Sequence, residues 1–259
     1  MRRKDATLAL SHGSSIRLIF IFSVALLPCA AHASGCTKAT IAGNYVIETI
    51  GEVGSQLSDT LFLVASDGEG TLSGTGAVDI GGAPSTGVTM KGTYTVKSNC
   101  WFTSTTTDSL NNIFTFQGQI LQNGAAISGI STTTGTYLQY NAYRQSVTTC
   151  SAVSPGTWPV YGQYFLTPFG PFVATSQWVV TKAGHATITQ EANLDGTASS
   201  SKGTATIVLN SNCTFTWTVE NGEGSTFHAF GVGGINQNGI AALAIATNAG
   251  WVDTATQFE

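Results

Sequence analysis

The residues best placed to do chemistry are four cysteines, and the chemistry they suggest is disulfide formation. Cys36 and Cys100 stand 64 residues apart, and Cys150 and Cys213 stand 63 apart. Zinc sites want short Cys-x-x-Cys or His spacings, and this chain has none. Near-equal long spacings point instead to two equivalent bridges, Cys36–Cys100 and Cys150–Cys213, in an oxidising compartment. Catalytic sets are poorer. Ser225, His228 and Glu223 contain the residue types of a hydrolytic triad, but the spacing fits no known order. Asp67-Gly68-Glu69-Gly70 offers two carboxylates where calcium needs six to eight oxygens, so a plain hairpin turn is expected. Glu48 and Glu52 have no counterparts in the second half of the chain. No catalytic residue, metal ligand or cofactor is assigned.

Aromatic rings are the remaining candidates. Tyr45, Trp101, Tyr164 and Trp217 are singled out as ligand-facing, because a ring lining a cavity can stack on a sugar or an apolar molecule. Most such rings are core.

These residues need elements to hold them, and the leader must be removed first. Arg2, Arg3, Lys4 and Arg17 are basic, Leu18 to Leu27 is apolar, and Ala31-His32-Ala33 has small residues where a signal peptidase reads. The apolar run is about half of the roughly 20 residues a membrane helix needs. Residues 1–33 therefore read as a signal peptide, which predicts a secreted or periplasmic protein and also removes Cys29. The whole chain has 10 basic and 14 acidic residues. Without the leader, 6 basic residues face 13 acidic ones, a net charge near −7. Nucleic acid is excluded as a partner, since scattered cations cannot neutralise a phosphate backbone. An anionic membrane surface is disfavoured for the same reason. The partner left is a small-molecule ligand or a component of the cell surface.

The cysteine stretch occurs twice, as Val96-Lys97-Ser98-Asn99-Cys100 and as Leu209-Asn210-Ser211-Asn212-Cys213. Ile120 to Gly124 likewise matches Ile235 to Gly239, and Gly43-Asn44-Tyr45 is set against Gly162-Gln163-Tyr164. The reading is two homologous domains, 34–148 and 149–259, each large enough for its own core. In the first, strand patterns run over Gly43–Ile50, Thr60–Ala65, Thr71–Ile80, Val88–Lys97, Trp101–Thr107, Ile113–Leu121, Ala125–Ser131 and Thr136–Arg144. Asp67-Gly68 and Asn123-Gly124 are hairpin dipeptides. The fold class is all-β: two tandem eight-stranded antiparallel up-and-down barrels, with β-sandwiches as the alternative. Strand alternation puts Cys36 and Cys100 at the same end. The N-terminal segment is expected to cross and close that end, pinned by the bridge. The opposite end would carry longer loops: Gly51–Asp59, Gly81–Gly87, Asp108–Asn112 and Thr132–Gly135, then Pro168–Ala174, Asp195–Gly203, Glu220–Gly224 and Thr247–Gly250.

Gly43-x-Tyr45 on the first strand, with Arg144 on the eighth, resembles the closure signature of the calycins. In those lipocalin- and avidin-like barrels, a Gly-x-Trp lies under an arginine from the last strand. Tyr stands where Trp is usual, and no arginine ends the second copy. The resemblance implies a ligand-holding barrel. The function expected is a secreted, non-catalytic binding or structural protein, holding a small apolar or sugar ligand at the open barrel end. The alternatives are an isomerase- or cyclase-type enzyme on such a barrel, or one outer-membrane barrel formed by all the strands.

Overall fold

The computed structural model describes residues 35–166, 170–221, 226–237, 240–249 and 251–258. The expected signal peptide lies outside them, as do Glu223 and Ser225. The first repeat forms β1 (Gly43–Val53), β2 (Gln56–Ser66), β3 (Thr71–Ile80), β4 (Ala83–Val96), β5 (Trp101–Asp108), β6 (Ile113–Leu121), β7 (Ala126–Ser131) and β8 (Thr136–Arg144). The second forms β9 (Gly156–Leu166), β10 (Gly170–Val180), β11 (His185–Leu194), β12 (Thr197–Leu209), β13 (Thr214–Asn221), β14 (Thr226–Gln237), β15 (Ile240–Ala246) and β16 (Trp251–Phe258). Each strand pairs with the next, β8 returns to β1, and β16 returns to β9. The result is two closed eight-stranded barrels, not sandwiches and not one sixteen-stranded ring. Closure leaves neither sheet with an open edge.

Period-2 alternation decides what faces in. On β5, Phe102, Ser104, Thr106 and Asp108 are buried, while Trp101, Thr105 and Thr107 are exposed. Inside the first barrel Phe102 lies between Tyr94 and Tyr140, each ring centroid 6.1 Å away, and Phe116 meets Tyr140 at 4.9 Å. Burying one such phenylalanine is worth about 1.5–3 kcal/mol. In the second barrel Trp217 packs on Trp178 at 4.8 Å and on Phe215 at 5.4 Å.

Both expected bridges are present, with Cα–Cα distances of 4.9 Å for Cys36–Cys100 and 5.0 Å for Cys150–Cys213. Cys100 and Cys213 both sit in left-handed backbone, at φ 64° and 66°. Each is the last residue of a three-residue hairpin loop, a position that usually falls to glycine. The segment after Cys36 makes a short 3-10 helix, Lys38–Ile41, whose Ile41 is fully buried in the first core. The N-terminal segment thus does cross the closed end.

Three of the expected long loops are corrected, while those at Asp108–Asn112 and Thr132–Gly135 stand. β1 and β2 run to within two residues of each other at Gly54-Ser55, and β3 and β4 do so at Gly81-Gly82. Asp195-Gly196 is likewise a two-residue turn between β11 and β12. The strands extend because their polar residues alternate with buried ones.

The barrels pack side by side. Outward-facing Val46, Leu61 and Ala77 of the first meet Val232, Ile235, Leu243 and Ile245 of the second, all at most 1% exposed. The connecting segment is strapped to β14. Gln145 Nε2 donates to the Gly233 carbonyl at 3.0 Å, and the Ser146 amide donates to that of Gly234 at 2.8 Å. Gly234 has φ +78°, and a Cβ there would stand 2.2 Å from the Val147 carbonyl oxygen. What reads as a loose linker is a seam fitting.

Candidate functional site

The first barrel has two unlike ends. At the closed end Tyr45 and Arg144 are register partners on β1 and β8. Arg144 Nη2 donates to the Tyr45 hydroxyl at 2.9 Å and to the Thr40 carbonyl at 2.7 Å. The Tyr45 hydroxyl donates in turn to the Gly124 carbonyl at 2.5 Å, which Arg144 Nε also reaches at 3.2 Å. The guanidinium carbon lies 5.5 Å from the Tyr45 ring centroid, within cation–π range. Burial raises the Tyr45 phenol, and the Arg144 hydrogen bond opposes it. These groups join the 3-10 helix, the first and last strands and the β6–β7 turn. They hold the end shut.

The other end is lined by hydroxyls. Thr49 and Thr60 face inward and share a hydrogen bond of 2.8 Å. Ser104 is 4% exposed, and its Oγ has no hydrogen-bond partner among the described residues. Thr106 lies one step above it on β5. Beneath are Ile47, Phe62, Met90, Phe116 and Tyr140. Asp108 completes the wall but is committed to the turn it begins. Its carboxylate accepts from the Leu110 and Asn112 amides, both at 2.9 Å, and from Asn112 Nδ2 at 2.8 Å. The cavity between these groups measures about 30 Å³. That is room for water, against the roughly 300–1,000 Å³ of a drug-sized ligand pocket. A larger guest must displace side chains.

The four aromatics singled out in the sequence are not brought together. Tyr45 belongs to the closed end. Trp101 is 37% exposed and points outward, and Phe102 takes the interior position beside it. Trp217 is buried in the second core. Tyr164 stands near the far end of β9, opposite Phe172, and its side chain lies outside the described residues.

Tyr164 is also not the counterpart of Tyr45. The offset that carries Cys100 onto Cys213 also carries Gly43 onto Gly156 and Tyr45 onto Trp158. Both glycines open a first strand with positive φ, +127° and +154°. The second copy therefore begins Gly156-Thr157-Trp158, and Trp158 packs on its core. Local similarity of Gly-Asn-Tyr to Gly-Gln-Tyr masked this in the sequence. The cysteine offset was the signal that would have found it.

The same bookkeeping reveals what the copies do not share. Thr49, Thr60, Ser104 and Thr106 correspond by strand position to Gly162, Ala174, Trp217 and Val219. At these four positions the hydroxyls belong to the first barrel.

No family model and no curated protein matches this chain in sequence.

The other candidates are structural. Asp67 Oδ1 accepts from the amides of Glu69, Gly70 and Thr71 at 2.7–2.9 Å, and Oδ2 accepts from the Thr71 hydroxyl. These bonds, that of the Thr71 hydroxyl foremost, hold its carboxyl well below the usual range. Among the described residues no three His, Cys, Asp or Glu are grouped to hold a metal. His185 and His228 are exposed on outer faces, each near a threonine hydroxyl.

Proposed function

We infer that the chain is an exported, non-catalytic binding or structural protein. Its first barrel would take a small apolar or sugar-like ligand at the hydroxyl-lined end, and its second would act as scaffold. The observation that carries this reading is the divergence of the interiors. Copy one keeps four inward hydroxyls at one end, where copy two has Gly162, Ala174, Trp217 and Val219. A hydroxyl in a barrel interior costs stability unless it is bonded; Thr49 and Thr60 bond each other, and Ser104 Oγ, which has no partner among the described residues, suits a guest that bonds to it. Asp108, the carboxylate there, is tied up by its own turn, which favours binding over catalysis.

Several features support the finer parts. Two disulfides fit an oxidising extracellular or periplasmic compartment, as the leader-like N-terminus does. The Tyr45–Arg144 clamp and Gly156-x-Trp158 favour a calycin-like barrel. Apolar interiors and threonine-rich outer faces are the inverse of an outer-membrane barrel. The test is titration of oxidised protein with decanoate and with N-acetylglucosamine, followed by amide chemical shifts. One probe is expected to move resonances of β5 and β6. Ser104→Ala with Thr106→Val should weaken that binding about tenfold, the loss of one to two hydrogen bonds. Chemical turnover of either probe would sink the non-catalytic reading.

A further inference from the structure

The face of the first barrel that packs on the second carries carboxyls. Asp59 on β2 and Asp79 on β3 stand directly opposite each other. They alternate with inward-facing Thr60 and Val78, so both point out of the barrel, yet they are 0% and 1% exposed. Outward positions on β2 lose water because β14, β15 and β16 pack against that strand. Glu48 lies on the same outer face of β1, paired with Leu61 of the seam. Three carboxyls thus border an apolar contact.

We propose that the seam between the barrels is a pH-operated closure, held shut while Glu48 and Asp79 carry protons and loosened as they ionise. A carboxyl on a face that packing strips of water ionises at a cost, and Glu48 and Asp79 both lie on such a face. Burial pushes Glu48 up to about 7 and Asp79 up to about 6, although the Gly82 and Ala83 amides pull Asp79 partly back. Among the described residues no cation offsets either shift.

The surroundings do not reverse this. On β1 the other carboxylate is Glu52. β8 places Tyr143 near Glu48, where burial and that carboxylate raise the phenol, and it sends Arg144 to the closed end. From the second barrel, β14 carries His228, exposed beyond the seam, and β15 carries no ionisable group. Raised carboxyl pKa values mean that the closed form holds protons the open form releases. Closure is complete below about pH 4 and weakens as pH climbs through 6 to 7. An exported protein meets that range directly.

The test uses the full chain with Ala77→Cys, which puts a thiol in the seam at a fully buried position. Val208→Cys, 57% exposed on an outer face, is the reference thiol. Labelling by a maleimide is measured at pH 5, 6.5 and 8, and the ratio of seam to reference cancels the thiol's own titration. The ratio is expected to rise at least tenfold between pH 5 and 8. It should stay flat when Glu48→Gln and Asp79→Asn are added. A ratio constant within about twofold, or an equal rise in the amide variant, overturns the proposal. If the thiol variant fails to fold, small-angle scattering of the unsubstituted chain decides. The radius of gyration should grow from pH 5 to 8, and no growth refutes the closure.

Discussion

Tyr45 and Arg144 are 99 residues apart in sequence and face each other across the closing strands of the first barrel, joined by a 2.9 Å hydrogen bond. The same guanidinium also reaches the Thr40 and Gly124 carbonyls. Arg144→Ala removes a charged donor from three acceptors at once. Hydrogen bonds to charged groups are worth about 1.5–3 kcal/mol each, and they do not add fully. The expected loss in urea unfolding is about 2–4 kcal/mol. A loss no larger than the about 0.5 kcal/mol of an ordinary surface substitution would show that the clamp is ornamental to stability. Tyr45→Phe should cost less, about 1–2 kcal/mol, because Arg144 keeps its carbonyls.

Gly124→Ala tests the same end from the backbone. Its φ is +87°, and a Cβ there would lie 2.1 Å from the Thr40 carbonyl oxygen. The added methyl must push the 3-10 helix off the barrel floor. A destabilisation of about 2 kcal/mol or more is expected, with amide exchange of residues 38–41 accelerated well before that of β5.

The Cys36–Cys100 bridge closes a 64-residue loop. Chain entropy gives it about 4 kcal/mol. Paired Cys36→Ser and Cys100→Ser should lower the unfolding midpoint of the first barrel accordingly. Peptide mapping of the unreduced protein should find Cys150 linked to Cys213 in wild type and variant alike.

Stability should decline as pH rises from about 4 to 7. Asp79, ordinarily at 3.8, is raised to about 6 by burial, and a raised carboxyl favours folding only while protonated. Asp79→Asn should therefore leave stability at pH 4 nearly unchanged and add about 1–2 kcal/mol at pH 7. Denaturant curves at the two pH values check this, and equal effects at both would contradict it.

Much of the first barrel was legible because its inward residues alternate with threonine and serine between Gly-marked turns. β3, β6 and β8 match their sequence-derived limits residue for residue. β1, β2 and β4 were read short, because outward polar residues such as Asp59 and Thr86 look like loop when the partner strand is unknown. The hydroxyl set was missed for a different reason. Threonine inside a strand carries no local mark of direction, and only a correct repeat alignment shows that Ser104 stands where Trp217 does. The seam was invisible because an apolar residue on an outer face does not name what covers it.

The seam is heterologous: it joins unlike faces of like modules. A contact of that kind does not close on itself, so repeats bearing both faces would stack into an open-ended fibre. Here the unused copy of each face is polar at several positions. Leu61 and Leu63 correspond to Thr175 and Gln177 in the second barrel, and Val232 and Leu243 correspond to Gln119 and Ser128 in the first. The joint is thus directional, with each module fit for one side of it.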